Sequence, residues 1–447
     1  MKVKVKLDIK SFIERGDFRT LKVILSQQEP ADILEMIEEL PPDEKIVVFR
    51  LLPKDQAALV FSELEADDQI ALIELFKEEK LKEIISSMSP DDRAELLEEM
   101  PANVVNRLLS YLTPEERKET LALLNYPENS AGRLTTPKCV ELHPEMSVKE
   151  ALEKIRREGR DKETIYLMPV IDHQRKLLGV VTLEDLIFSD PDMLVEQVMD
   201  DQPVYVYATT DQEEVAQIMR KYDLVAIPVV DSEQRLIGII TIDDVVDVID
   251  EEATEDIQKM SSIVVTEQSY FHTSSWQFFI NRLPWLAALL LLGTLSSGII
   301  AKFEHLLASL PIIAAFMPAM VDTGGNIGSQ ISALVIRGMA LGEIDQKDWW
   351  RVLTRELLIG AMLASTLAVA VLLRVVFVTR VTHIMLAVST ALFVVVIVSN
   401  IIGALLPFIA KSLKIDPAIM AGPLLTTIVD LLGIAIYFSV VNFMLSV

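Results

Sequence analysis

Apolar residues recur along this chain in three rhythms. Up to about residue 130, short pieces such as 31–40 and 93–100 carry them at helical spacing. Leu40-Pro41, Leu52-Pro53, Met88-Ser89-Pro90, Met100-Pro101 and Leu112-Thr113-Pro114 punctuate these pieces at multiples of roughly a dozen residues. Proline suits a helix's first turn, and the acids after it suit the helix dipole. Such helices cannot each bury a face alone, so 1–130 is expected to stack into a right- or left-handed superhelix. Over 135–250 the pattern changes to short apolar runs with turns between them, which predicts strands alternating with helices. From 283 onward come five long apolar segments, about 283–301, 311–336, 356–378, 384–410 and 418–445, each near or above the ~20 residues that span a bilayer. The expected fold is multidomain: an all-α superhelical N-domain (1–130), an α/β module (131–250), an acidic connecting helix (251–275) and an all-α five-helix transmembrane domain (276–447).

The last apolar segments are interrupted by polar residues. Asp430 is the lone carboxylate of 418–445, and Asp322-Thr323-Gly324-Gly325-Asn326-Ile327-Gly328-Ser329-Gln330 breaks the second segment. An acid at bilayer depth costs about 3 kcal/mol or more unless it meets water, a partner or an ion. Helical spacing puts Asp322, Asn326, Ser329, Ala333 and Arg337 on one face, and Gly422, Thr426, Asp430 and Gly433 on another. Close helix packing accounts for the small residues; Asp430 requires compensation, which suggests a cation path. Gly324-Gly325 is expected to loosen its helix and turn carbonyls toward a cavity. Asp322 is expected to be a second cation contact or a partner for Arg337. No histidine cluster, thiolate or methionine stripe lies on these faces, so soft metals are poorly served. Carboxylate, amide and backbone oxygens suit Mg²⁺, which keeps most of its water and touches few carboxylates.

Charge divides the chain. Residues 271–447 hold eight acids and ten Lys or Arg, so the total of −25 leaves about −27 on 1–270 (58 acids against 31 bases). Such a surface does not seek nucleic acid, and it repels itself unless cations gather on it. One cysteine, Cys139, excludes a disulfide framework. The N-terminus MKVKVKLDIK lacks the apolar stretch of a signal peptide, so the first half is expected in the cytoplasm and an odd number of spans sends the C-terminus outside. Arg337, Lys347, Arg351, Arg355, Lys411 and Lys414 are expected on inside loops, against Lys302, Arg374 and Arg380 outside. No nucleotide-hydrolysing loop or nucleophile–base pair stands out, so no enzyme is expected.

The α/β region is internally duplicated. Met168-Pro169-Val170-Ile171-Asp172 with Leu178-Gly179-Val180-Val181-Thr182-Leu183-Glu184-Asp185 returns as Ile227-Pro228-Val229-Val230-Asp231 with Ile237-Gly238-Ile239-Ile240-Thr241-Ile242-Asp243-Asp244. The offset is constant (228 − 169 and 244 − 185 both give 59). Each copy reads strand, turn, strand and a helix opened by Thr-x-x-Asp. It resembles a pair of cystathionine-β-synthase (CBS) motifs, which often dimerise and take adenosine nucleotides such as ATP. The resemblance implies that Thr182, Asp185, Thr241 and Asp244 hold ribose and phosphate; the alternative is that they only cap helices.

Over nearly its whole length the chain resembles the MgtE family of magnesium channels. The resemblance is carried by Tyr126-Pro127 with Ser130-Ala131-Gly132-Arg133-Leu134-Thr135, the CBS pair, the T-G-G-N-x-G-x-Q at 323–330, and Gly422-Pro423 leading to Asp430. It implies a homodimer in the cell membrane with a pore along the dimer axis between the second and fifth helices, for which Gly325, Asn326, Gly328, Ser329, Gly422 and Thr426 are the expected lining; Asp322, which is not a usual feature of the family, is expected to line it as well. Asp430 would hold hydrated Mg²⁺ there. It also implies that Asp91, Glu95, Asp211, Glu213, Asp223, Asp244, Asp247, Glu252, Glu255 and Asp256 bind cytosolic Mg²⁺, upon which the connecting helix shuts the gate. The alternatives are a secondary exchanger or exporter coupled through Asp322 and Asp430, and a non-conducting membrane receptor that reads nucleotides.

Overall fold

The structure, a computed structural model, describes residues 9–38, 40–265, 273–378 and 381–445. The lysine-bearing N-terminus and Arg380 lie outside the described residues. The chain forms two compact units, Met1–Ile249 and Asp250–Val447.

The first unit opens with helices α1 (Ile9–Arg15) and α2 (Phe18–Leu25), followed by α3 (Pro30–Ile37), α4 (Pro42–Leu51), α5 (Lys54–Ser62), α6 (Ala66–Leu75), α7 (Glu78–Ile85), α8 (Pro90–Glu99), α9 (Ala102–Tyr111) and α10 (Pro114–Leu123). From α2 to α10 each helix starts twelve positions after the last (18, 30, 42 and so on to 114), including α6 and α7, where no proline marks the start. Each packs mainly on the next but one: α2 on α4, α3 on α5, α4 on α6, α5 on α7, α7 on α9, α8 on α10. Helices α1 to α9 thus share one continuous core, in which Phe49, Phe61 and Phe76 meet edge to face or tilted. That is the stacked superhelix which the punctuation predicts.

The CBS tandem follows: α11 (Val148–Glu158), β1 (Leu167–Ile171), β2 (Leu177–Thr182), α12 (Leu183–Phe188), α13 (Val195–Val198), β3 (Val206–Tyr207), α14 (Gln212–Tyr222), β4 (Ala226–Val230), β5 (Leu236–Thr241) and α15 (Ile242–Met260). β1 and β2 pair antiparallel; β4 pairs parallel to β3 and antiparallel to β5. The glycine in each copy has a use that the repeat alone does not reveal. A Cβ on Gly179 would lie 2.4 Å from the Asp200 carbonyl oxygen, and one on Gly238 would lie 2.2 Å from that of Thr136. In both copies a flanking segment crosses the hairpin where only glycine lets it, bridging Val180 to Asp200 and Ile239 to Thr136. The acidic run at 250–256 lies within α15, a helix that already opens at Thr241-x-x-Asp244.

The second unit holds α16 (Ser275–Lys302), the short α17 (Glu304–Ser309), a 3₁₀ stretch (Pro311–Phe316), α18 (Met317–Ala340), α19 (Trp349–Val378), α20 (Thr382–Ser412) and α21 (Pro423–Leu445). Four of the five long helices are long and apolar enough to cross a membrane. α18 falls short because of its polar residues. α18, α20 and α21 pack on one another, α19 on α20, and α16 on α21. Two expectations are corrected. Arg337, Arg351, Arg355 and Lys411 lie within helix ends rather than loops, because helices α18 to α20 extend past their apolar stretches. Gly324-Gly325 does not loosen α18, which runs unbroken from Met317 to Ala340. These glycines instead bring helices close: a Cβ on Gly324 would lie 3.0 Å from Ser399 Oγ, and one on Gly403 of α20 would lie 2.6 Å from the Gly328 carbonyl oxygen.

Gly403→Ala must therefore push α20 off α18's backbone, at about 1–3 kcal/mol as overpacking costs elsewhere. Its melting temperature in detergent should fall, while Gly293→Ala, which meets nothing within 4 Å, should leave it unchanged. Equal melting of the two variants would refute the close approach.

Candidate ion path and cytosolic acid clusters

Asp430 lies two turns into α21, one turn beyond Thr426. Its Oδ1 is enclosed and has no hydrogen-bond partner. Facing it is Gly325 of α18, where an added Cβ would be 3.2 Å from Asp430 Oδ1 and 2.8 Å from Thr426 Cγ2. The Thr426 hydroxyl donates to the Gly422 carbonyl at 2.9 Å, which leaves its oxygen to accept from Ser329 Oγ, 3.1 Å away. Gly328 packs on Val429 and Leu425. The α18–α21 seam thus gathers Gly325, Gly328, Ser329, Thr426 and Asp430, and Gly422 turns into it at φ +58°. Asp322 and Asn326 are exposed on α18, with Gln330 continuing their stripe, and Asp322 is close enough for its charge to act on Asp430.

Two expectations fail here. Asp322 cannot pair with Arg337 of the same chain: 337 − 322 is 15 positions of one unbroken helix, about 22 Å. Gly433 does not join the polar face; it is buried with Val395 of α20 as its neighbour. Asn400 was missed. It is fully buried in α20, its carboxamide enclosed without partners against Gly360 of α19. A polar residue in the 384–410 apolar run was the available signal.

The cytosolic acids fall into three groups. In the first, Asp91 in the first turn of α8 lies near Asp244 in the first turn of α15. Burial first, then the neighbouring Asp92, pushes Asp91 up to about 7. Burial and then the charge of Asp91 push Asp244 up to about 8. One oxygen of Asp91, Oδ1, is enclosed without a partner. Glu63 is also raised, by burial and then Asp247, as is Glu163, by burial despite Lys138. Glu95 is exposed one turn beyond Asp91 on the same helical face. Glu63, Asp92, Glu163 and Asp243 were missed: Asp92 and Asp243, in first helical turns, read as ordinary dipole partners, and Glu63 at the end of α5 and Glu163 ahead of β1 read as solvated acids. Arg93 and Lys138 act on this cluster, yet Asp91, Asp244, Glu63 and Glu163 all stay raised, and their carboxylate oxygens are of the kind that Mg²⁺ prefers.

In the second group, Asp211 caps α14 by accepting from the Glu213 backbone N–H at 2.9 Å, whereas Asp223 ends that helix at φ +51°. Some 12 positions, about 18 Å, separate the two ends, so one ion cannot join them within one chain. In the third, Glu252, Glu255 and Asp256 share a face of α15. Lys259 pairs there with Glu255 and, at 2.6 Å, with Asp416 in the segment before α21. Burial works against the charge on Lys259, but these two carboxylates outweigh it and raise its pKa. Burial, then Asp416, pushes Asp256 up to about 6. Gly422 meets the same helix end, since a Cβ there would be 2.0 Å from the Met260 carbonyl oxygen.

The candidate nucleotide residues act as caps. Thr182 accepts from the Asp185 N–H at 3.1 Å while Asp185 accepts from the Thr182 N–H at 3.0 Å. Asp244 accepts from the Thr241 hydroxyl at 2.9 Å. Thr182 and Asp185 remain accessible; Thr241 is buried.

Profiles of known families match most of the chain: a divalent cation transporter profile, MgtE, at 317–440, the MgtE intracellular N domain at 28–129, and CBS domains at 131–191 and 195–251. The magnesium transporter MgtE of Thermus thermophilus is 38% identical over 100% of this chain and 99% of its own. The chain belongs to the MgtE family. The MgtE of Bacillus subtilis is 35% identical over 71% of this chain and 70% of its own. A crystal structure of the cytosolic domain of the Mg²⁺ channel MgtE in complex with ATP matches with a TM-score of 0.53 and 40% identity, covering 55% of this chain and all of that one. The soluble part of a magnesium transporter matches with a TM-score of 0.52 and 27% identity, over 55% of this chain and 96% of that one. The protein is thus a multi-pass membrane protein of a magnesium transporter family.

Asp91 and Asp244 both titrate well above the ~3.9 of an unfolded aspartate. Between about pH 4 and pH 8 the folded state therefore binds more protons, and stability falls as pH rises through that window. In EDTA the protein should melt lower at pH 8.5 than at pH 6, and Asp91→Asn with Asp244→Asn should flatten the slope. An unaltered slope in that double variant would show that these two acids do not cause it.

Proposed function

We propose that the chain is one subunit of a homodimeric Mg²⁺ channel that admits Mg²⁺ down its electrochemical gradient and is shut by Mg²⁺ bound to its cytosolic acids. The observation that carries this reading is the enclosed, unpartnered Asp430 oxygen at the α18–α21 seam. At bilayer depth such a charge needs water or a cation. Hydrated Mg²⁺ suits it, since that ion sheds water reluctantly and needs few carboxylates. Two features support a second copy. Asp322, Asn326 and Gln330 form an exposed polar stripe, and α16 buries no residue within its own chain. Two copies would turn the stripes toward a shared wet path and leave apolar helices to lipid and to each other.

The domains in this reading are 1–130, the CBS pair at 131–250, a connecting segment at 251–275 and the membrane domain at 276–447, with a cytoplasmic N-terminus and the C-terminus outside. At low cytosolic Mg²⁺ the acids of the first two domains repel; at high Mg²⁺ bridging ions draw them together. Each bridge need supply only about 1–2 kcal/mol, because several act on the same closed state. The Mg²⁺-bound sites would use Asp91, Glu95, Asp244 and Asp247 at one end of α15, Glu252, Glu255 and Asp256 at the other, and Asp211, Glu213 and Asp223 around α14. ATP, which the crystallised relative binds, would sit on the CBS pair with Thr182 and Asp185 the more accessible contacts.

Asp430→Ala should abolish Mg²⁺ flux into proteoliposomes while the dimer persists on a sizing column; undiminished flux rules out the pore role. Neutralising Asp244, Asp247, Glu255 and Asp256 together should leave current flowing at millimolar internal Mg²⁺, and ordinary closure would count against the sensor. The proximity of Asp322 and Asp430 favours one other reading, an exchanger with two coupling carboxylates. Discrete Mg²⁺ currents in single-channel recordings, independent of Na⁺ and H⁺ gradients, separate the channel from it.

A further inference from the structure

The oxygen-rich acid clusters leave one group of ligands unused. His143 Nδ1 lies 2.9 Å from the Ile171 carbonyl oxygen. A carbonyl only accepts, so Nδ1 carries the proton and Nε2 keeps a free lone pair. Metal-binding imidazoles are commonly oriented in this way, by donating their other N–H to a carbonyl. The His143 ring stacks on that of His173, with centroids 5.8 Å apart and planes 29° from parallel. His173 Nε2 in turn lies 3.7 Å from Glu145 Oε1. One ligand atom from each of the three residues lies within 4.8 Å of the others.

We propose that His143, Glu145 and His173 form a surface site on the first CBS repeat for a borderline transition-metal ion such as Zn²⁺, Ni²⁺ or Co²⁺. Ligands about 2.0–2.1 Å from a tetrahedral Zn²⁺ stand roughly 3.3 Å apart. Small rotations close the gap, and they are available because His173 and Glu145 are 86% and 58% exposed. Two imidazoles and one carboxylate leave a fourth position open to water. The donor set differs in kind from the Mg²⁺-fitting clusters: imidazole suits Zn²⁺, Ni²⁺ and Co²⁺, whereas Mg²⁺ prefers oxygen and retains its water. The backbone holds the two halves in place. The Ile171 N–H donates to the Leu142 carbonyl at 2.9 Å, setting His143 beside the end of β1, and His173 stands in the turn between β1 and β2. That turn also reaches the second repeat, where the Leu236 N–H donates to the Arg175 carbonyl at 2.8 Å. A bound ion would fasten the segment before α11 to the β1–β2 hairpin of the first repeat, whose turn meets the second.

The test is calorimetric titration of the full-length protein in detergent with ZnCl₂, in an excess of Mg²⁺ that fills the oxygen sites. One Zn²⁺ per chain should bind with Mg²⁺ present. His143→Ala or His173→Ala should weaken it by about a hundredfold, and Glu145→Gln by about tenfold, since even outer-shell partners are worth about 10–100-fold. Unchanged metal-free melting of these variants would show that they fold. Zn²⁺ binding at full strength in the double variant His143→Ala with His173→Ala, which would mean an adventitious ion held elsewhere, overturns the proposal. So does its displacement by Mg²⁺.

Discussion

A carboxylate withdrawn from water must be matched by a cation or take up a proton, and this fold withdraws several without supplying the match. Asp91 and Asp244 are crowded at two helix starts until both titrate near neutrality. Asp430 has an oxygen enclosed at a helix seam with no partner. The other end of α15 is built differently, for there Lys259 already sits between Glu255 and Asp416. One helix therefore carries an end whose charge is incomplete and an end whose charge is largely met from within the chain. On the proposed reading, the first end is the one that answers to the ion.

Close approach is the second constraint. The membrane unit joins its helices through glycine: Gly325 opposite Thr426 and Asp430, Gly403 against the Gly328 backbone, Gly360 against Asn400. These contacts decide where the Asp430 carboxylate points, because any side chain at Gly325 would occupy the space before it. Lipid gives helices little hydrophobic reason to associate, so small residues and a few polar links such as Ser329–Thr426 hold the seam. Glycine does the same for the CBS pair at Gly179 and Gly238, where it admits a crossing segment.

Much of this was legible in the chain itself. Binary patterning fixes helices and strands locally, so the twelve-residue punctuation, the duplication with its offset of 59 and the long apolar helices could be read directly. The lone acid at 430 was legible as well, because charge in an apolar run needs no partner to be noticed. Other features depend on which distant residues become neighbours. Glu63, Glu163 and Asp243 join the Asp91 cluster from separate elements, and alone each looks like a solvated acid. A helical wheel places Asp322 and Arg337 on one face, but it records direction around a helix and not the distance of about 22 Å along it.

The sequence by itself determined the elements, the repeats and the presence of carboxylates where lipid would be, since these follow from local periodicity and the cost of burying charge. Only the tertiary structure decided which acids share a site, that the glycines close a seam instead of breaking a helix, and that two histidines 30 positions apart (173 − 143) meet beside Glu145. The physical reason is that Coulombic and packing energies depend on distance in space, and a linear chain specifies that distance only once it has folded.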